Sequence, residues 1–233
     1  MIIAIYCLAG LLVAGVIALI LVTFFGNARQ RLFIKMVDST IFVVIGILAI
    51  ILNPNKLEYS IPILIGAAFS FLGDFFLGIN YKKEKTAKNH TFIYGGVSFF
   101  FAQVAYASAF ISNIGYHMYL VAIPFVLCLV ILLLSRLSMF NLKNQSPALV
   151  FLVAGYAFFV AFTFTASLNY VITLSFANRL SLISLGGLFF IVSDYLLLHK
   201  YFFHRQFKLV NVIYMSTYYL AQLIYVTSIL GVM

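Results

Sequence analysis

Residues 66–77 read GAAFSFLGDFFL, and residues 186–197 read GGLFFIVSDYLL. Each stretch carries a single charge, Asp74 or Asp194, which follows a small residue and stands eight residues after a glycine. A charged side chain at the centre of a membrane helix costs about 2.5–3.5 kcal/mol on insertion scales, so such a residue usually faces a cavity or a partner. Because the chain holds only five acidic residues, we expect these two aspartates to mark the functional site.

The composition around these stretches is that of an integral membrane protein. Of the 233 residues, 65% are hydrophobic and 8% are charged, whereas soluble domains carry roughly 25% charged residues. Lipid offers no partner to open backbone groups, so apolar runs of spanning length predict helices. The sequence therefore predicts an all-α polytopic bundle of eight transmembrane helices, forming one integral membrane domain over residues 1–233. The predicted spans are 2–25, 32–52, 61–80, 91–111, 116–136, 147–168, 180–199 and 209–231.

Positive charge alternates from one predicted loop to the next. The odd-numbered loops carry 12 of the 14 Lys and Arg residues, and Lys56 and Arg179 are alone in the second and sixth loops. By the positive-inside rule, the odd loops are cytoplasmic and both termini are outside. Membrane topology thus accounts for the net charge of +9 without a nucleic-acid partner, although attraction to anionic lipid can act beside it. We expect a multi-pass protein of the cell membrane in a bacterium, or of the endoplasmic reticulum in a eukaryote.

The chain shows an internal repeat. The two aspartate stretches align at an offset of 120 residues, and the Ala-Gln-x-x-Tyr element at 102–106 recurs at 221–225 with an offset of 119. Four spans in each half give both halves the same orientation, so we predict two parallel four-helix repeats, about 1–112 and 113–233. Chance similarity between apolar segments is the alternative. A pseudo-twofold axis along the membrane normal would bring the two aspartates face to face at one depth.

Paired carboxylates at one depth resemble the acid–base arrangements of hydrolases. We therefore predict Asp74 and Asp194 as catalytic residues. The alternative is structural, with each carboxyl hydrogen-bonded to a neighbouring helix. The predicted substrate-binding residues are Lys35, Ser70, Gln103, Ser193, Tyr218 and Gln222.

These polar candidates have structural alternatives of their own. The small residues beside the aspartates can serve close helix packing or leave room for a substrate, and the two glutamines can bond between helices or line the site. Tyr218 lies four residues before Gln222, on the same helix face, and could handle a proton or orient the substrate. Lys35 could hold a substrate phosphate, or it could form a local ion pair with Asp38 three residues later.

No metal or cofactor is predicted. The four histidines do not form a metal motif, and the chain has no His-Glu-x-x-His element and no Cys pair. It also lacks the Gly-x-Ser-x-Gly element of serine lipases.

An ordered set of motifs resembles the YhhN-like lysoplasmalogenase family. The matching elements are Ser-x-x-Gly-Asp at 70–74, Gly-x-x-x-Phe-x-x-Ala at 95–102, Phe-x-x-Ser-Asp at 190–194 and Tyr-Tyr-Leu-Ala-Gln-Leu at 218–223. The chain departs from the family pattern at Gln103, where the family usually has His, and at Lys35-Met36, where it has Lys-Pro.

The resemblance implies hydrolysis of the vinyl ether bond of lysoplasmalogens, with a fatty aldehyde and glycerophosphoethanolamine or glycerophosphocholine as products. A carboxylic acid can protonate the alkene carbon, and a second carboxylate can stabilise the cation and activate water, so no metal is required. The expected partners are a lysophospholipid and the bilayer, and the oligomeric state is left open. The competing hypothesis is a small proton-coupled transporter or lipid-binding membrane protein, because intramembrane acids and parallel repeats suit transport as well.

Overall fold

A computed structural model of the protein describes residues 1–83, 90–112, 117, 122–137, 147–174, 181–202 and 208–231. Within these ranges the chain is helical and has no strand, and the predicted count of eight helices is confirmed. The helices are α1 (Ile2–Phe25), α2 (Ala28–Leu52), α3 (Leu57–Lys83), α4 (His90–Ile111), α5 (Ala122–Leu137), α6 (Pro147–Thr173), α7 (Ser181–Phe202) and α8 (Lys208–Ser228), with a short 3₁₀ turn at Pro54–Lys56.

The protein is a multi-pass membrane protein. In the described part of the chain, six helices are long and apolar enough to cross a membrane: α1, α2, α3 with its preceding turn, α4, α6 and α8. The apolar parts of α5 and α7 are shorter there, at 122–131 and 182–198. The lipid-facing surface is rich in large apolar side chains, as a bilayer requires.

Helix α2 begins at Ala28, four residues before the predicted start. The Asn27 side chain accepts hydrogen bonds from the backbone N–H groups of Arg29 and Gln30, and the Gln30 side chain accepts one from the N–H of Asn27. This reciprocal capping box satisfies N–H groups that the first helical turn leaves without partners. The early start places Arg31 and Lys35 on one continuous helix.

Most of the helix contacts occur in pairs that a twofold axis would exchange. In the first half α1 contacts α2, α2 contacts α3 and α3 contacts α4, and the second half repeats this order from α5 to α8. Between the halves, α2 contacts α8 and α4 contacts α6, and these two contacts also exchange. Helix α8 departs from the pattern, because it contacts α1 and α3 more extensively than α4 contacts α5 and α7. The duplication and its sequence boundaries stay a prediction.

Glycines eight residues before each aspartate allow two close approaches between neighbouring helices. A Cβ on Gly66 of α3 would overlap the ring of Tyr106 on α4, and a Cβ on Gly186 of α7 would lie 2.8 Å from the ring of Tyr225 on α8. Both rings are buried in the core. The two glycines therefore serve close helix packing, which is the first of the alternatives that the sequence left open.

Candidate active site

A narrow cavity between the two halves brings the predicted catalytic residues together. Asp74 of α3, Asp194 of α7 and Lys35 of α2 all line it. The space open to the centre of a water molecule is about 20 Å³, which is room for about one water. The other lining residues are Leu19, Leu77, Phe99, Ser193, Leu197, Tyr214, Met215, Tyr218 and Tyr219.

Asp74 is surrounded by donors that stabilise a negative charge. The Lys35 ammonium lies 2.8 Å from its Oδ1. Its Oδ2 accepts hydrogen bonds from the Ser39 hydroxyl at 2.6 Å and from the Tyr218 hydroxyl at 2.8 Å. The side chain is almost completely buried, so these charge-assisted bonds replace the water that the carboxylate gives up.

Asp194 has a different environment. Its Oδ2 accepts one hydrogen bond, from the Tyr156 hydroxyl of α6 at 2.7 Å. Among the described residues no Lys or Arg is within ion-pair distance of it. The neighbouring Ser193 turns its hydroxyl away and donates to the backbone carbonyl of Tyr214 at 3.1 Å. Two carboxyls that look equivalent in sequence thus differ in charge compensation.

The alternative prediction of a local ion pair between Lys35 and Asp38 is wrong. The Lys35 ammonium crosses to Asp74, and neither oxygen of the fully buried Asp38 has a hydrogen-bond partner within the described residues. Asp38 instead packs against Gly15 of α1. The Lys35 ammonium pairs with Asp74 because the Ser39 and Tyr218 hydroxyls also donate to that carboxyl. These donors stabilise a negative charge on Asp74, whereas Asp38 has no such partners within the described residues.

Two further candidates, Ser70 and Gln222, belong to a hydrogen-bond network among α3, α4 and α8. The hydroxyls of Ser70 and Tyr106 lie 3.4 Å apart, and the Tyr106 hydroxyl donates to Gln222 Oε1 at 2.6 Å. Ser70 and Gln222 do not line the cavity, so the structure places them in interhelical bonding. Gln103 is buried beside the Tyr156 hydroxyl, and its amide atoms make no hydrogen bond within the described residues.

The structure adds site residues that sequence reasoning missed. Ser39 lies four residues after Lys35, so helical spacing predicts that the two share a face of α2, although it does not predict the contact of Ser39 with Asp74. Tyr156 had no such signal, because it is one of 15 tyrosines in an aromatic-rich chain. Among the described residues no three His, Cys, Asp or Glu side chains are grouped as metal ligands.

A second cavity adjoins the first at Asp194. Its space for water centres is about 40 Å³, and its wall is almost entirely apolar. The two cavities share Leu77, Phe99, Asp194 and Leu197. The arrangement can therefore hold one water and two carboxyls with different polar partners next to an apolar group.

Comparison of the sequence with known protein families identifies one matching family. The model of the YhhN family matches residues 30–229, a range that includes both aspartates, Lys35 and Tyr156. No curated protein and no solved structure matches the chain.

Proposed function

Because the chain belongs to the YhhN family, we propose that it is a membrane-embedded hydrolase that cleaves the vinyl ether bond of lysoplasmalogens. The products are a fatty aldehyde and glycerophosphoethanolamine or glycerophosphocholine. The observation that carries the proposal is the single cavity lined by Asp74, Asp194 and Lys35. The expected location is the cell membrane in a bacterium, or the endoplasmic reticulum in a eukaryote.

The different surroundings of the two carboxyls suggest their roles. Asp74, with an ammonium and two hydroxyl donors, is suited to act as the carboxylate. Asp194, with one phenol donor on Oδ2, is suited to carry a proton on Oδ1. Such a division of labour between two acids in different environments is the pattern of glycoside hydrolysis.

Hydrolysis then balances in three steps. Asp194 gives its proton to the β-carbon of the vinyl ether, which leaves an oxocarbenium ion and an Asp194 carboxylate. The cavity water attacks the cationic carbon and passes its proton to Asp74, which yields a neutral hemiacetal. The hemiacetal hydroxyl returns a proton to Asp194, the bond to the glycerol oxygen breaks, and that oxygen takes the proton from Asp74. Both carboxyls are restored and no other reactant is needed.

The test is aldehyde release by the purified protein in detergent. We expect aldehyde from 1-alkenyl lysophospholipids with ethanolamine or choline head groups. A 1-alkyl lysophospholipid with the same chain should give none, because its saturated ether has no alkene carbon to protonate. Absence of aldehyde from both alkenyl substrates in folded protein would reject the hydrolase and favour the proton-coupled transporter.

A further inference from the structure

The second cavity gives Asp194 an apolar side. Of the described residues that line it, only Asp194 and Tyr156 have polar side chains, and the Tyr156 hydroxyl already donates to the Asp194 carboxyl. No Lys or Arg is among these lining residues. A phosphate or a water in this space would leave most of its hydrogen bonds unmade. A hydrocarbon group would instead bury apolar surface against the wall.

Asp194 therefore lies at a boundary between polar and apolar space. On one side is the first cavity, which Asp74 and Lys35 also line. On the other side is the second cavity, and Leu152 and Leu198 line that cavity alone. A molecule that contacts Asp194 across this boundary has its polar part beside Lys35 and its apolar part against the two leucines.

We propose that the second cavity binds the hydrocarbon chain of the substrate at the carbons that follow the double bond, and that Gly96 keeps this space open. The inference rests on the proposed function for the identity of the substrate. In that reaction Asp194 protonates the second carbon of the alkenyl chain, so the third carbon must lie in space next to Asp194. The first cavity has room for about one water, and the reaction uses that water, which leaves the second cavity for the chain.

The second cavity is narrow enough to select the shape of the chain. Its space for water centres is about 40 Å³, which holds about three groups of the size of a water or a methylene. Phe92 and Phe99 are buried on its inner side, whereas Gly96 and Leu198 are half-buried, so the rest of the chain leaves beside these two residues. A straight chain fits this space, and a chain with a methyl branch on its third carbon is too wide.

The missing side chain of Gly96 leaves room that helix packing does not require. A Cβ at Gly96 of α4 would lie 3.7 Å from Cδ2 of Leu152 on α6, which is an ordinary van der Waals contact. At the neighbouring Gly95, a Cβ would lie 2.9 Å from the Leu77 side chain of α3, so Gly95 serves the close approach of two helices. A larger side chain at position 96 would therefore fill the cavity without forcing the helices apart.

Binding can be measured without catalysis. The probes are two 1-alkyl lysophospholipids with choline head groups and equal carbon number, one straight and one with a methyl branch on the third chain carbon. Neither has an alkene to protonate, and the readout is lipid retention by the purified, folded protein in native mass spectrometry. We expect the unaltered protein to retain the straight lipid about tenfold more strongly, which is the lower end of what one methylene decides in an apolar pocket.

Variants of the cavity wall locate the site. Gly96→Val should weaken retention of the straight lipid about tenfold, by the same steric argument. The matched control is Val97→Leu, on an exposed residue of the same helix that does not line the cavity, and it should change nothing. Leu152→Ala enlarges the cavity opposite Gly96 and should retain the two lipids equally. The double variant Gly96→Val/Leu152→Ala should regain the straight lipid, because the wall volume is nearly restored.

Three results overturn the inference: equal retention of the two lipids by the unaltered protein, a folded Gly96→Val variant that behaves like Val97→Leu, or a Leu152→Ala variant that still discriminates. The Leu152→Ala result does not depend on whether Gly96→Val folds. All three are independent of aldehyde release. Aldehyde release without discrimination overturns this inference alone, and discrimination without aldehyde release supports the chain site and rejects the hydrolase.

Discussion

The two aspartates are both expected to be needed for turnover. Asp74→Asn and Asp194→Asn should each reduce kcat by about 10²–10⁴-fold, the usual effect of removing a general acid or base. Asn preserves shape and part of the hydrogen bonding but cannot cycle a proton. Aldehyde release by purified variants, with folding checked by gel filtration and circular dichroism, measures this. Near-normal turnover in either variant would reject the proposed dyad.

Lys35 should act on turnover and stability rather than on substrate affinity, because its ammonium lies on the reacting carboxylate. Lys35→Met leaves the buried Asp74 charge without its counter-ion, which typically destabilises by about 3–5 kcal/mol. The double variant Lys35→Met/Asp74→Asn should recover much of that loss, since neither charge remains. Unfolding of the single and double variants in a denaturing-detergent titration gives the coupling. If the effects of the two substitutions on stability are additive, the ion pair contributes nothing to folding. If Lys35→Met raises KM alone, Lys35 binds the substrate phosphate instead.

Tyr156 is expected to position Asp194. Its hydroxyl donates to Oδ2 at 2.7 Å, which restricts the rotation of the carboxyl. Tyr156→Phe should lower kcat with little change in KM, because the ring still fills its place and only the donor is lost. Tyr170→Phe, a buried tyrosine that lines neither cavity, is the matched control. A Tyr156 variant that behaves like this control would assign the hydroxyl to packing alone.

At the scale of helices, glycine decides how closely the elements approach. Gly66 and Gly186 lie against buried tyrosine rings, whereas Gly10 and Gly155 have nothing within 4 Å of where a Cβ would be. Gly186→Ala should therefore destabilise by about 1–3 kcal/mol through overpacking. Gly10→Ala and Gly155→Ala should be neutral or slightly stabilising, because Ala favours the helix. The same detergent titration compares the stabilities of these three variants. Equal stability of Gly186→Ala and the two control variants would contradict the packing role of Gly186.

The helices were largely predictable, whereas the contacts between their side chains were less so. Apolar run lengths place all eight helices, because lipid forces the backbone to bond within each segment. The early start of α2 was readable from Asn27 and Gln30, three residues apart as a capping box requires. The three-residue spacing of Lys35 and Asp38 could not show that Lys35 pairs with Asp74 on α3 instead. Both carboxyls lie within reach of the long Lys35 side chain, and the hydroxyls beside Asp74 determine which one it pairs with.

For the whole molecule, the predicted duplication would account for both the pairing and the asymmetry of the site. Tyr156 stands 121 residues after Lys35, and each donates to the aspartate of the following helix. Tyr218 also donates to Asp74. It stands 119 residues after Phe99, whose side chain has no hydrogen-bond donor. On this prediction, each half contributes one acid to the cavity, and different residues at nearly matching positions give one acid an ammonium and the other a phenol.

The charge pattern of the whole chain predicts that this site lies toward the cytoplasmic leaflet. Odd loops carry 12 of the 14 basic residues, and the positive-inside rule assigns them to the cytoplasm. Both aspartates lie in the halves of α3 and α7 that lead into odd loops, so a substrate should arrive from the inner leaflet. Single cysteines in a variant lacking Cys7 and Cys128 test this: Glu84→Cys should react only with reagent that reaches the cytoplasm, and Asn113→Cys only with reagent outside. The reverse pattern would invert the protein and place the site in the outer leaflet, and labelling of both positions from one side would contradict the predicted number of crossings between them.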